Sequence, residues 1–166
     1  MYHKIQDFLD DWDYESKSTV KVFDQLTDKS LAARVTPDGR SLGILAWHIT
    51  ISIDEMMSRT GLKIESPAHD SKHPASAKEI KTTYEKASAS FINDLKKRWN
   101  NDSLQIECEM YGSKWKNGIT LSSLIAHQTH HRGQMTVLMR QAGLKVPGVY
   151  GPSKEEWAAM GLQPME

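Results

Sequence analysis

One late run of residues predicts both a helix and a candidate site, and it reads Leu124-Ile125-Ala126-His127-Gln128-Thr129-His130-His131-Arg132-Gly133-Gln134. Apolar residues recur in and around this run at helical spacing. They are Leu121, Leu124, Ile125, Met135, Leu138 and Ala142. His127 and His131 are four residues apart, so a helix places one above the other on a single face. Two imidazoles in that arrangement can reach one metal ion.

A helical wheel separates the three histidines of this run. At about 100° per residue, the centre of the apolar stripe lies roughly 35° from His131, 75° from His127 and 135° from His130. We therefore expect His127 and His131 to face or border the core and His130 to face outward. Gln128 lies near the centre of the stripe, where its amide needs a partner, and it either supports the histidines or serves helix packing.

Two amphipathic helices are predicted in the first third of the chain. Apolar residues spaced by three and four begin at Ile5, and the first helix is expected to continue to about Ala33. The Pro and Gly of Thr36–Arg40 then predict a turn. Ser41 offers an N-cap hydroxyl to the second helix, which is expected to end near Gly61.

The middle of the chain predicts a long connection and a third helix. Residues 62–75 contain two prolines and show no period, which is typical of a crossover connection. The sequence Ser76-Ala77-Lys78-Glu79 has the capping-box pattern, in which the Ser and Glu side chains each satisfy a free backbone N–H, and the polar residues 100–103 stop the helix that follows. From 104 to 120 apolar and polar residues alternate at strand period, which predicts either a short hairpin or an extended arm along the other helices. Within this stretch Tyr111-Gly112-Ser113 and Lys116-Asn117-Gly118 are expected to turn.

A fourth long helix is predicted from Thr120 or Leu121 to Ala142, closed by Gly143. A second capping box at Ser153–Glu156 predicts a short C-terminal helix that ends at Gly161. Four long amphipathic helices with one crossover favour an all-α fold, a four-helix bundle with a short extended arm and a short C-terminal helix. We expect residues 1–166 to form a single domain.

Composition excludes several classes of protein. Lys plus Arg number 21 and Asp plus Glu number 21, so the chain lacks the basic excess that nucleic-acid binding needs. No window approaches the roughly 20 apolar residues of a membrane helix. Charges interrupt the N-terminal apolar residues, and Cys108 is the only cysteine. We therefore expect no signal peptide, no intrachain disulfide and a cytoplasmic location.

A third metal ligand is expected from another helix, and His48 is the candidate. It lies on the inward side of the second helix in Leu45-Ala46-Trp47-His48-Ile49. The alternative is that the three histidines border the core and only form hydrogen bonds. His69 and His73 are predicted to be solvated loop residues, and Cys108 a small buried hydrophobe rather than a nucleophile.

The element His127-x-x-x-His131-Arg132-Gly133-Gln134, with Leu45–Ile49 and the closing run Val146–Ser153, resembles the DinB-like, YfiT-related family of bacterial proteins. The resemblance implies an up-down-down-up four-helix bundle, commonly a homodimer. It also implies a divalent ion held by three histidines, which by position are His48, His127 and His131. Characterised relatives include metal-dependent thiol S-transferases and a maleylpyruvate isomerase that uses a low-molecular-weight thiol.

These observations favour a metal-dependent thiol S-transferase that activates a low-molecular-weight thiol and transfers it to an electrophile. Zinc and nickel are the preferred ions, although imidazole ligands also suit copper and iron. The alternatives are a metal-dependent hydrolase and a metal-stabilised stress protein without turnover. No catalytic acid or base is assigned, and Arg132 and Gln134 are expected to serve helix packing or a dimer face.

Overall fold

A computed structural model describes residues 1–163, which are mostly helical with one small two-stranded sheet. The long helices and the strands follow in chain order. They are α1 (Ile5–Phe23), α2 (Leu42–Met57), α3 (Ala77–Arg98), β1 (Glu107–Met110), β2 (Ser113–Lys116), α4 (Asn117–Gln141) and the short α5 (Lys154–Trp157). Within these residues no helix has the length and apolar character that crossing a bilayer requires.

The core lies between the four long helices, since α1 and α2 each pack against both α3 and α4. Aromatic rings fill its centre. The ring of Trp12 meets that of Phe91 edge to face at 5.1 Å between centroids, and Phe8 packs on both. Burying a side chain of this kind contributes about 1.5–3 kcal/mol, so this cluster supports α1 against α3.

The first helix is shorter than predicted, because α1 ends at Phe23 and not near Ala33. Thr27 starts a separate 3-10 turn, Asp28–Ala32. Its side chain accepts from the amide of Ser30 at 3.2 Å, and the Ser30 hydroxyl accepts from the amide of Thr27 at 3.0 Å. This reciprocal cap interrupts the helix while Leu31 remains buried, so the apolar spacing continued past the true end.

The prediction for α2 is confirmed at both ends. The Ser41 hydroxyl accepts from the amide of Ile44 at 3.3 Å. A 3-10 turn, Ser58–Thr60, extends the helix to Gly61, which is left-handed at φ 85°.

The predicted long connection, residues 62–75, carries no helix or strand. It lies against α2 and α3 through specific hydrogen bonds. The indole N–H of Trp47 donates to the carbonyl of Ser71 at 2.9 Å, and the amide of Lys63 donates to Asp94 at 2.7 Å. Half of the predicted capping box at Ser76 forms: the Ser76 hydroxyl accepts from the Glu79 amide at 3.4 Å, but the Glu79 side chain does not accept from the Ser76 amide.

The extended arm forms a hairpin with itself. Strands β1 and β2 pair antiparallel from Glu107 with Lys116 to Met110 with Ser113. Cys108 on β1 is half-buried, with its sulfur 3.8 Å from the Thr120 hydroxyl.

Helix α4 begins at Asn117, three residues before the predicted start. Lys116-Asn117-Gly118 was expected to turn, but the Asn117 side chain is buried and donates to the carbonyl of Ser103 at 3.0 Å. Gly118 lies so close to the N-terminal segment that an added Cβ would be 2.6 Å from the carbonyl oxygen of Tyr2. This glycine therefore permits close packing inside the helix rather than a turn.

The C-terminal predictions are confirmed within the described residues. Gly143 closes α4 at φ 71° and Gly161 follows the last 3-10 turn at φ 70°. The capping box at Ser153 forms, since Glu156 accepts from the Ser153 amide at 3.2 Å. Glu156 also accepts from the Gly148 amide at 2.9 Å, which fixes the extended tail against α5.

Candidate metal centre

Three histidines from two helices meet between α2 and α4. His48 lies on α2, and His127 and His131 lie one turn apart on α4. The Nε2 atom of His127 is 3.0 Å from Nε2 of His48 and 3.1 Å from Nε2 of His131. One nitrogen of each ring lies within 4.8 Å of the others. The three predicted ligands are therefore brought together by the fold.

The predicted directions of the α4 histidines are confirmed. His131 is buried, His127 is half-buried and His130 is exposed. The wheel placed His131 nearest the stripe and His130 furthest from it, and the exposures follow the same order. The other two histidines that share a four-residue spacing, His69 and His73, do not join this cluster.

The two nitrogen separations from His127 suit a small divalent cation, and the third pair, His48 and His131, lies within 4.8 Å. Two nitrogens bound at about 2.0–2.1 Å to a tetrahedral ion lie roughly 3.3 Å apart, and less in an octahedral arrangement. The observed separations of 3.0 and 3.1 Å from His127 fall in this range. The donor set of three imidazoles therefore fits one ion held between His48, His127 and His131.

Gln134 fixes the orientation of His131. Its amide oxygen lies 2.7 Å from Nδ1 of His131, and its amide nitrogen donates to Nε2 of His130 at 3.1 Å. Because the amide oxygen can only accept, Nδ1 of His131 carries the proton and its Nε2 presents a lone pair to the cluster. A partner of this kind is typical around metal-bound histidine. Gln134 was expected to serve helix packing or a dimer face, and its contact with His131 was not predicted. Its position three residues after His131 on a helix is the signal that allows this contact.

The hydrogen-bonding capacity of the His127 ring is incompletely satisfied in either neutral form. Its Nδ1 is buried and has no hydrogen-bond partner among residues 1–163. If Nδ1 carries the proton, Nε2 faces the lone pair of His131 at 3.1 Å. If Nε2 carries it, Nδ1 becomes a buried acceptor without a donor. A cation between the Nε2 atoms removes the repulsion of the first arrangement, while the Nδ1–H of His127 stays without an acceptor among the described residues.

The electrostatic setting keeps the imidazoles neutral. Burial, together with repulsion from Arg40 and from His131 whenever that ring is protonated, lowers the pKa of His48 to about 4. Burial and the neighbouring histidines lower the pKa of His127 to about 4, and burial also lowers the pKa of His131. Neutral imidazole is the form that binds metal, so at neutral pH no proton needs to be displaced.

Gln128 holds the helices that carry the site. Its side chain is fully buried; its amide oxygen accepts from the Tyr84 hydroxyl at 3.0 Å, and its amide nitrogen donates to the carbonyl of Ile49 at 3.3 Å. These bonds join α4 to α3 and α2 beside His127 and His48. Of the two alternatives from the sequence, these bonds show the helix-packing one, since neither of them goes to a histidine.

Arg132 serves helix packing, as predicted, through a buried ion pair with Glu15 of α1. Its guanidinium also donates to the Thr19 hydroxyl at 3.0 Å and to the Tyr150 hydroxyl at 2.7 Å. Tyr150 in turn donates to Glu15 at 2.7 Å, which ties the C-terminal tail to α1. Glu15 and Tyr150 were not among the predicted residues, since the apolar spacing of α1 gives no sign that a carboxylate is buried there.

Two clefts open beside the histidines. The crossover cleft, about 440 Å³, is lined by Arg40, Ile44, Trp47, His48, Ile51, Ser71, Lys72 and His73. The loop cleft, about 570 Å³, is lined by Val35, Gly39, Arg40, Leu45, His130, His131, Gln134, Val137 and Leu138. Each is large enough for a small molecule, and each reaches one of the candidate ligands.

The prediction for the two loop histidines is half right. His69 is exposed, with Nε2 3.7 Å from a carboxylate oxygen of Asp54. His73 is half-buried, because it packs over Gly43 at the wall of the crossover cleft. Its ring would clash with any added Cβ on Gly43, which would lie 2.8 Å from the imidazole.

A mostly helical chain with three converging imidazoles between two of its helices defines a candidate metal-binding helical protein. The chain belongs to the DinB family, whose family model matches residues 1–166. It is 45% identical over 163 residues to the uncharacterised protein YrdA of Bacillus subtilis (strain 168), and the matched residues cover 98% of each of the two chains.

Two solved structures are similar in fold. A DinB-like protein from Bacillus cereus ATCC 10987 is 47% identical, covers 90% of this chain and 100% of its own, and has a TM-score of 0.88. The DinB-like protein YjoA of Bacillus subtilis is 14% identical, with 89% and 99% coverage and a TM-score of 0.68. The second likeness is one of fold alone.

Proposed function

We propose that this protein is a metal-dependent thiol S-transferase in which His48, His127 and His131 hold zinc or nickel. The single observation that carries the proposal is the convergence of three neutral imidazoles, with Nε2 separations of 3.0 and 3.1 Å around His127. An ion bound by three neutral ligands keeps its double charge, and it lowers the pKa of a coordinating thiol so that a thiolate exists at neutral pH.

The side chains around the cluster support this function by binding and orienting. Gln134 holds the His131 ring so that its Nε2 lone pair faces the site. Gln128 fixes α2 and α4 at the distance that brings the rings together. The crossover cleft and the loop cleft reach His48 and His131 respectively, so a thiol and an electrophile can enter from different sides.

The test uses purified protein loaded with zinc or nickel, a small thiol and 1-chloro-2,4-dinitrobenzene. In this reaction sulfur forms a bond to the ring carbon, chloride leaves and the thiol proton passes to the buffer. We expect about one ion per chain and a conjugation rate well above background in the wild type. His131→Ala should lose both, whereas His69→Ala, an exposed histidine outside the cluster, should keep both.

The outcome distinguishes the proposal from its alternatives. Unchanged conjugation in a folded His131→Ala variant would refute the transferase. Turnover of esters or amides without added thiol would favour hydrolysis at the same cluster. A bound ion without turnover, together with a large loss of thermal stability on chelation, would favour a metal-stabilised protein that is not an enzyme.

We further propose that residues 1–166, of which 164–166 lie outside the described part, form one domain with the four long helices in up-down-down-up order. We also propose a cytoplasmic homodimer that acts on small molecules rather than nucleic acid. The balance of 21 basic and 21 acidic residues supports small-molecule substrates. Sedimentation of the purified protein tests the dimer.

A further inference from the structure

Arg40 lies at the boundary between the two clefts beside the histidine cluster. It follows the Thr36–Gly39 turn, immediately before the N-cap of α2, and its side chain is exposed. It is the residue shared by the crossover cleft and the loop cleft. The crossover cleft reaches His48 and the loop cleft reaches His131, so Arg40 lies beside the openings to both histidines.

Arg40 is also the arginine whose hydrogen-bonding capacity is unused. The sequence contains six arginines, and the other five donate to a carboxylate or a carbonyl. Within residues 1–163, no hydrogen bond or ion pair involves the Arg40 side chain. A guanidinium offers five donors in a planar fork that matches a carboxylate, so this group is available to a ligand.

The walls of the clefts favour an anion. Lys72, on the crossover segment, adds a second cation to the crossover cleft, and it too forms no ion pair in the described part of the chain. Among the described residues that line the two clefts, none is Asp or Glu. Trp47, Ile44 and Ile51 give the crossover cleft an apolar wall, and the Trp47 N–H is already bonded to Ser71. Positive charge with little competing negative charge attracts anionic ligands.

We propose that the thiol bound at this cluster carries a carboxylate, and that Arg40, assisted by Lys72, binds this carboxylate from the crossover cleft. The inference rests on the proposed function, because the thiol group of the same molecule is directed to the three histidines. Arg40 is thus a substrate-binding residue that selects anionic thiols. Among the described residues it forms no hydrogen bond with the histidines, and it is not required to hold an ion.

The experiment compares two thiols on cobalt-loaded protein. Binding of 3-mercaptopropionate, which carries a carboxylate, and of 2-mercaptoethanol, which does not, is followed by thiolate-to-cobalt absorption in the near ultraviolet. Arg40→Gln is expected to weaken 3-mercaptopropionate about fivefold to tenfold, because charge-assisted hydrogen bonds are lost. Binding of 2-mercaptoethanol should change less than twofold. Comparing each thiol with itself between variants removes differences in thiol acidity.

Two variants serve as controls. Arg98→Gln makes the same change of charge at an arginine that pairs with Asp94 and lines neither cleft, so it should alter neither affinity. Arg40→Lys keeps the charge but not the planar fork, and it should retain part of the preference. Cobalt content and the thermal midpoint are measured for every variant.

Each outcome decides one question. If Arg40→Gln weakens both thiols equally or neither, the assignment of Arg40 is wrong while the transferase proposal stands. If cobalt binds but neither thiol changes its spectrum, the proposed function and the present inference both fail. If cobalt does not bind, the metal centre itself is refuted.

Discussion

The buried ion pair between Glu15 and Arg132 makes a prediction about stability that does not depend on metal. The two side chains are 9% and 3% exposed, and Arg132 also donates to the Glu15 carbonyl at 2.7 Å. Removing one charge of a buried pair leaves the other without compensation, which costs about 3–5 kcal/mol. Because the Tyr150 hydroxyl stays 2.7 Å from Arg132, we expect Glu15→Gln to cost about 3 kcal/mol, the lower end of that range.

Urea unfolding followed by tryptophan fluorescence measures this cost. With a slope of about 2 kcal/mol per molar, the midpoint should fall by about 1.5 M. Combining Glu15→Gln with Arg132→Met removes both charges, so the double variant should cost less than the sum of the single variants by about 2 kcal/mol. Asp13→Asn is the matched control on the same helix, because the Asp13–Lys17 pair is 65% and 73% exposed. An exposed pair contributes at most about 1 kcal/mol.

Two results would refute the reasoning. A midpoint shift for Glu15→Gln no larger than that of Asp13→Asn would show that the carboxylate is not held as a buried charge. Strict additivity of the double variant would show that Glu15 and Arg132 do not act as a pair. Equal slopes in all variants are the check that unfolding stays two-state.

Three further predictions concern the site and the helix that carries it. Gln134→Leu should free the His131 ring and weaken metal binding about 10-fold to 100-fold, measured by competition with a chromogenic chelator. The metal-free protein should lose stability as the pH falls from 6.5 towards 4. The folded state lowers the pKa of His48 and His127 to about 4, whereas in the unfolded chain both pKa values stay near the ordinary 6.5, so the unfolded chain binds protons first. Urea midpoints at pH 7 and pH 5 measure the loss, and a higher midpoint at pH 5 would contradict it. Gly118→Ala should lower the thermal midpoint, because its Cβ would lie 2.6 Å from a backbone oxygen, whereas Gly133→Ala, which meets nothing within 4 Å, should raise stability by about 0.5–1 kcal/mol.

The histidine cluster was predictable because helical geometry is local. A spacing of four residues and the position of the apolar stripe were enough to place His127 and His131, and the inward side of α2 supplied His48. The contacts of Gln134 and Arg132 were harder to predict. Several polar residues lie at helical spacing from His131, so the sequence does not single out Gln134 as its partner. The partners of Arg132 are 117 and 18 positions away in the chain. Apolar periodicity cannot register a buried carboxylate such as Glu15.

The long helices were also predictable from the sequence, and the errors in the predicted end of α1 and start of α4 have local causes. Periodicity continued through Leu26 and Leu31 into a separate 3-10 turn, so it hid the end of α1. Gly118 was interpreted as a turn residue, although the close approach of Tyr2 is what requires a glycine there. Both errors arise because the same residue type serves local conformation in one place and long-range packing in another.

The hydrogen bond from Trp47 to Ser71 joins the residue before His48 to the segment that forms the opposite wall of the crossover cleft. The width of that cleft is therefore governed by a connection without helix or strand. Loops of this kind accept insertions and deletions far more readily than helices do. Within this architecture the range of molecules admitted can diversify through the length of residues 62–75, while the three imidazoles and the helices that hold them stay unchanged.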